Sequence, residues 1–284
     1  MRLAVNRSLT AGPHAPWTRA IFLCVSAAAG LSACSTVPKE QTLAFSGMVN
    51  SVGTAIDPLF DNLSAVERRH KIAATAAHPT IFVVADAPYY SSIGDAPEAA
   101  QFRAGFAVID GYTKLLVSLV DGSSAAAWQA QAQSVLGNIT AITGSAISTG
   151  SAALLSGIFQ QIASAYSNAE ARRLMLSGKD PMIKLIDNLI KAGDPIFLTL
   201  IQDDQPFSSK KTKEQRKADI DAARLQVANY VVLLQQLKEN FGKLSMAYIQ
   251  QSSPETLSAI AATSGELAAD AKAARAAYAT LGKP

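Results

Sequence analysis

Catalysis and metal binding each demand particular side chains at close quarters: a nucleophile beside a base, or several His, Cys, Asp and Glu around one point. This chain is sparing with them. It has three histidines and two cysteines. The best-spaced group is Glu67-Arg68-Arg69-His70, whose carboxylate and imidazole fall three apart, on one face of a helix. That spacing is half of what a two-metal site in a helical bundle uses; the other half is a second Glu-x-x-His, and the chain has none. Arg68 and Arg69 also crowd the position with positive charge, so the group reads as a solvated ion-pair face near a helix end. Asp203-Asp204 lacks the ligand spacing of a calcium loop. The motifs G-x-S-x-G, G-x-G-x-x-G, H-E-x-x-H and the P-loop are absent. The reading therefore assigns no catalytic residue, no metal and no cofactor. His70, His78, Tyr89 and Tyr90 remain as contacts for a small ligand or a partner. The paired tyrosines suit stacking on a ligand, and equally suit plain packing.

The cysteines belong to a different chemistry. Arg2, Arg7 and Arg19 precede or flank a short apolar run, Ala20–Ala29, with no acidic residue before Cys34. The run is too short to span a bilayer and has the layout of an export signal. Leu31-Ser32-Ala33-Cys34 follows. This resembles the lipobox of bacterial lipoproteins. The resemblance implies cleavage before Cys34, diacylglycerol on its sulfur and a fatty acid such as palmitate on its new amino group. Two or more acyl chains anchor stably where one does not. By the same resemblance, Ser35 is the outer-membrane type of residue, so the expected location is the outer membrane, facing the periplasm. Loss of residues 1–33 removes three arginines and no acid, leaving 22 basic against 22 acidic residues. The formal +3 thus belongs to the signal, and no nucleic-acid partner is expected. With Cys24 removed and Cys34 lipidated, disulfides, cysteine catalysis and cysteine-held metals are excluded as well.

What remains must be positioned by helices. The chain is 49% hydrophobic with only 7% aromatics, and its alanine-rich, proline-punctuated runs lack β-branched alternation. Residues 34–41 form a short tether, about 25 Å when extended, and 42–284 one domain. Phe45, Met48, Val52, Ile56, Leu59, Leu63 and Val66 recur at helical spacing, with Asp57-Pro58 marking a kink or a fresh helix start. Thr80–Ala85 looks like a short buried strand with no second strand to pair with, so 78–96 reads as a long, partly buried connection. A helix follows from Pro97 to Val120. The 48 residues 122–169 carry no Asp, Glu, Lys or Arg. Such a segment must be covered by the protein, a membrane or a partner. Gly137, Gly144 and Ser151, seven apart, are expected to let a neighbouring helix come close. Two short helices start at Asp180-Pro181 and Asp194-Pro195. From 212 to 250, Ile220, Ala223, Val227, Tyr230, Leu234, Leu237, Phe241, Leu244 and Tyr248 alternate by three and four. After Ser253-Pro254-Glu255 the pattern resumes to Leu281, so the last two helices read as an antiparallel hairpin. The neutral segment is the expected partner of its small-residue seam.

The expected fold is all-α, an antiparallel bundle of long helices with one irregular connection near 78–96. The expected function is non-enzymatic: a lipoprotein held in the membrane at Cys34, whose bundle binds an envelope protein or supports the envelope. Two alternatives stand beside it. One is a membrane-active protein using 122–169, which looks distantly like helical pore-forming toxins in architecture alone. The other is a small-ligand carrier or enzyme with a site at 78–96.

Overall fold

In the structure, a computed structural model, residues 39–76, 81–142, 147, 150–202, 212–249 and 253–281 are described. Cys34, His78, Gly144 and Asp203-Asp204 lie outside them. All regular structure among the described residues is helical, as the sequence predicts. The organising element is the first helix, α1 (Lys39–Thr75). At 1.5 Å per residue it is about 55 Å long. Phe45, Met48, Val49, Val52, Ala55, Ile56, Leu59, Phe60 and Leu63 are all at most 1% exposed. Nine such residues in nineteen make a face too wide for one neighbour, and α1 is indeed packed on several sides. Asp57-Pro58 does not end the helix: Pro58 sits inside it.

α1 runs antiparallel to α3 (Pro97–Val120). Lys39 pairs with Asp121 at one end (2.7 Å) and Ser64 meets Ala96 at the other (2.8 Å). The antiparallel hairpin of α9 (Lys213–Ile249) and α10 (Pro254–Leu281) completes the long-helix bundle. Its register is legible in three contacts that recede from the turn together: Asn240–Thr263, Gln236–Asp270 and Gln226–Tyr278. The predicted seam is the buried one. Ala223, Val227, Tyr230, Leu234, Leu237, Phe241 and Leu244 on α9, with Ile260, Ser264, Leu267, Ala271, Ala274 and Tyr278 on α10, are all buried. The closest partner of α10 is α1, not the neutral segment. An alanine-rich seam suits any close backbone, and the first helix is the one it meets.

The neutral segment folds as α4 (Ala125–Ile142) and α5 (Ser151–Ala163). Trp128, Ala132, Val135, Ile139 and Ile142 face inward on α4; Ala152, Leu155, Phe159 and Ile162 do so on α5. They pack on α3 and on each other. Three shorter helices close that side: α6 (Asn168–Ser177), α7 (Lys179–Lys191) and α8 (Gly193–Ile201). Asn188 on α7 donates to the carbonyl of Ile147, between α4 and α5 (2.9 Å). The expected small-residue face holds at Ser151, buried beside Asn188 of α7, but not at Gly137, which faces outward. A Cβ on Gly137 would meet nothing within 4 Å, and the same holds for Gly157. The close approach is made from α3, where a Cβ on Gly111 would run into Val135 of α4. Heptad spacing marks a possible seam on a helix, but which side faces inward was decided by the larger residues. Trp128, Val135 and Ile139 turned Gly137 outward.

Candidate interaction surface

His70, Tyr89 and Tyr90 lie where α1 ends and the chain turns into α3. Between them, residues 81–96 form an irregular connection with a 3-10 turn (Val84–Asp86) and one helical turn, α2 (Ala87–Tyr90). The strand-like apolar run lies on its outside rather than buried. Ile81 is 63% exposed, Phe82 65%, Val83 48%, Val84 79% and Ile93 87%. Tyr90 and Ile72 are exposed as well. Of the fifteen exposed large hydrophobics among the described residues, these seven lie between Ile72 and Ile93. Scattered single apolar residues need no explanation, whereas a cluster marks an interaction surface.

The backbone beneath this cluster is fastened to α1 at successive points. Lys71 Nζ reaches Asp86 Oδ1 at 2.8 Å and lies 5.6 Å above the Tyr89 ring. Thr75 Oγ1 and Tyr90 Oη share a hydrogen bond of 2.7 Å, and the Tyr90 ring lies against Phe82. Arg68 Nη2 donates to the carbonyl of Gly94 (2.6 Å). Gly94 has φ +75°, where a side chain would strain the turn. Individually, exposed ties of this kind are each worth at most about 1 kcal/mol. Together they hold the apolar residues in place without covering them.

Two buried ties close the connection. Ala96, the residue before α3, has no side-chain oxygen to cap that helix. α1 supplies the cap instead. Ser64 Oγ accepts from the Ala96 N–H, and the two Glu67 carboxylate oxygens accept from Glu98 N–H (3.0 Å) and Ala99 N–H (2.8 Å). Glu67 is 7% exposed. Burial is the main cause that pushes its carboxyl up to about 7, against the pull of the two backbone donors; the nearby charges of Glu98 and Asp95 push the same way. Beside it, Arg103 of α3 binds Asp57 and Asp61 of α1 and Asp95 of the connection, with its guanidinium over the Phe60 ring. Burial also raises Tyr89 above the ordinary phenol range, with the Glu67 and Glu98 charges adding to it.

Tyr89 and Tyr90 thus pack onto α1 through Lys71 and Thr75. His70 lies half-buried on the same last turns of α1. Both Glu67 oxygens accept backbone N–H bonds at the start of α3, the role the structure gives that carboxylate. Among the described residues no cluster of three or more His, Cys, Asp and Glu is placed to hold an ion. A groove of about 360 Å³ lies elsewhere, between α9 and α10, lined by Leu225, Val232, Gln236 and Asp270 among others. Neither His70 nor the tyrosines line it. Sequence reasoning overlooked Glu67 and Arg103 as fasteners of the connection. The signal for Glu67 was present: a helix opening Ala96-Pro97 without Ser, Thr, Asp or Asn at its cap must find acceptors elsewhere.

Comparison with protein-family models, with curated proteins and with solved structures finds no match. The function has to be argued from the surface itself.

Proposed function

We propose that this chain is a lipid-anchored envelope protein, held in the outer membrane through Cys34, whose helical bundle presents the 81–93 connection to a protein partner. It acts by binding and not by catalysis. One observation carries the reading: Ile81, Phe82, Val83, Val84, Tyr90 and Ile93 are exposed together on a segment that α1 holds in place. Rigid presentation reduces the ordering cost of association, which favours recognition by a partner over nonspecific stickiness. Leu31-Ser32-Ala33-Cys34 supports the anchor, and the pairing of Glu67 with the start of α3 weakens the case for a metal or acid–base site there.

The membrane-active alternative draws less support. No helix among the described residues is long and apolar enough to cross a membrane, and the larger described residues of 122–169 are mostly turned inward, with Leu154 and Tyr166 the exceptions.

Two experiments test the two halves. Cys34→Ala should lose fatty-acid labelling and leave the washed membrane fraction; equal retention of both proteins, with no label on either, refutes the anchor. Phe82→Ser with Ile93→Ser should abolish copurification of an envelope protein while the melting temperature stays within about 2 °C, as for surface substitutions. Undiminished copurification refutes the surface.

A further inference from the structure

The exposed run Ile81–Val84 has more than apolar side chains to offer. Val83 holds strand dihedrals, φ −103° and ψ 123°. Among the described residues, no backbone hydrogen bond is made by the N–H groups of Ile81, Phe82 or Val83, nor by the carbonyls of Ile81 and Phe82. Three β-branched residues and one phenylalanine in four positions are the composition of a strand. A strand-forming sequence with an unpaired backbone on the surface is the template on which another strand pairs. Building on the assignment of 81–93 as the partner surface, we propose that the extended residues Ile81–Val83, which lead into the 3-10 turn, dock by β-strand addition, pairing their free backbone groups with the exposed edge strand of a sheet in a partner protein.

Other occupants fit less well. The run carries no charge, and the cations nearest to it in the fold are engaged: Lys71 with Asp86, Arg68 with the Gly94 carbonyl. An anionic lipid surface therefore meets no charge complement there. α1 begins at Lys39, and the 81–93 connection is fastened at its other end, about 55 Å along the helix. A second copy would add only one short strand to another, and an isolated two-stranded ribbon is marginal in water. A sheet already built in the partner removes that weakness.

The test uses the full lipidated chain in intact cells, with a benzophenone amino acid replacing Ile93 as the photocrosslinking probe. In a strand added to a sheet edge, successive N–H groups point alternately toward and away from the partner, and proline is tolerated only where the N–H points away. Phe82→Pro and Val83→Pro therefore make a parity pair. One should cut the yield of the protein adduct at least about tenfold, the cost of a lost backbone hydrogen bond and a blocked ladder. The other should keep most of it. If both prolines abolish the adduct, hydrogen exchange decides: alternate protection of the 81–84 amides in the adduct supports strand addition, and its absence overturns it. Adducts unaffected by either proline overturn strand addition but keep the partner surface. An adduct only with lipid, or only with a second copy, overturns the proposed occupant. No adduct at all from the probe at position 93 overturns the partner surface itself.

Discussion

Glu67 holds two backbone N–H groups at the start of α3 from a site that is nearly closed to water. Replacing it with glutamine tests that arrangement in a way that separates charge from shape. In the wild type the folded carboxyl titrates near 7, against 4.5 for an ordinary one. Below 4.5 both folded and unfolded chains hold the proton. Between 4.5 and 7 the folded chain keeps the proton that the unfolded chain has released. Stability contributed by the protonated group is therefore fully present below 4.5 and is lost as the pH rises through 7. With solvent screening at the edge of the site allowed for, the loss is on the order of 1–2 kcal/mol. Glutamine cannot titrate. It keeps one acceptor oxygen, sets an amide N–H₂ against the second donor, and should cost about 1–2 kcal/mol at low pH. The two stability curves should thus start apart at pH 5 and converge by pH 8. Urea denaturation of the Cys34→Ala chain at half-unit steps, followed by helix content, reads both. Parallel curves for wild type and Glu67→Gln across pH 5–8 would refute the buried, proton-binding cap.

The other expectations concern packing. Leu237 is fully buried on the α9 seam, so Leu237→Asp should lose about 3 kcal/mol or more, against under about 0.5 for Lys213→Asp at the exposed start of the same helix; similar melting temperatures for the two would contradict the buried seam. A Cβ at Gly111 collides with Val135, whereas one at Gly137 meets open space in mid-helix. Gly111→Ala should therefore destabilise by roughly 1–3 kcal/mol and Gly137→Ala should stabilise by up to about 1 kcal/mol, a difference in sign that chemical denaturation resolves. Tyr230→Phe removes the buried hydrogen bond to the Leu189 carbonyl (2.7 Å) and should cost about 1–3 kcal/mol; unchanged stability would mean the carbonyl finds another donor.

The long helices were legible because their signal is periodic and repeated. Ala223 through Leu244 and Ile260 through Tyr278 fall inside by the same three-and-four alternation that the sequence shows. Four heptads of agreement outweigh any local exception. Glycine contacts carry no such repetition. Gly53, Gly111 and Gly193 come close to Phe106, Val135 and Val231 respectively, and nothing near each glycine in sequence names its distant neighbour. The same non-locality hid Arg103, whose three carboxylates come from α1 and the connection. Thr80–Ala85 read as a short buried strand, whereas Val83 is extended, a 3-10 turn starts at Val84 and the run from 81 on is exposed; burial was inferred from apolar character alone. Burial needs a partner element, and none among the described residues covers that run. Tyr89 and Tyr90, singled out as ligand or partner contacts, pack onto Lys71 and Thr75 of α1, and Lys71 also pairs with Asp86; no local pattern in the sequence names those neighbours.

The length and placement of α1 also bear on force. A pull applied at Lys39 runs down the axis of a helix flanked over much of its length by antiparallel α3 and by α10, which runs in the same direction as α1. Its contacts are then loaded in shear, so Phe45, Met48, Val52, Ile56 and Leu59 must yield nearly together instead of peeling away one after another. Resistance to such a load is governed by the unfolding rate and not by equilibrium stability. The ties of Lys71, Thr75 and Arg68 lie at the far end of that helix. Tension between Lys39 and the 81–93 connection would therefore pass lengthwise through α1.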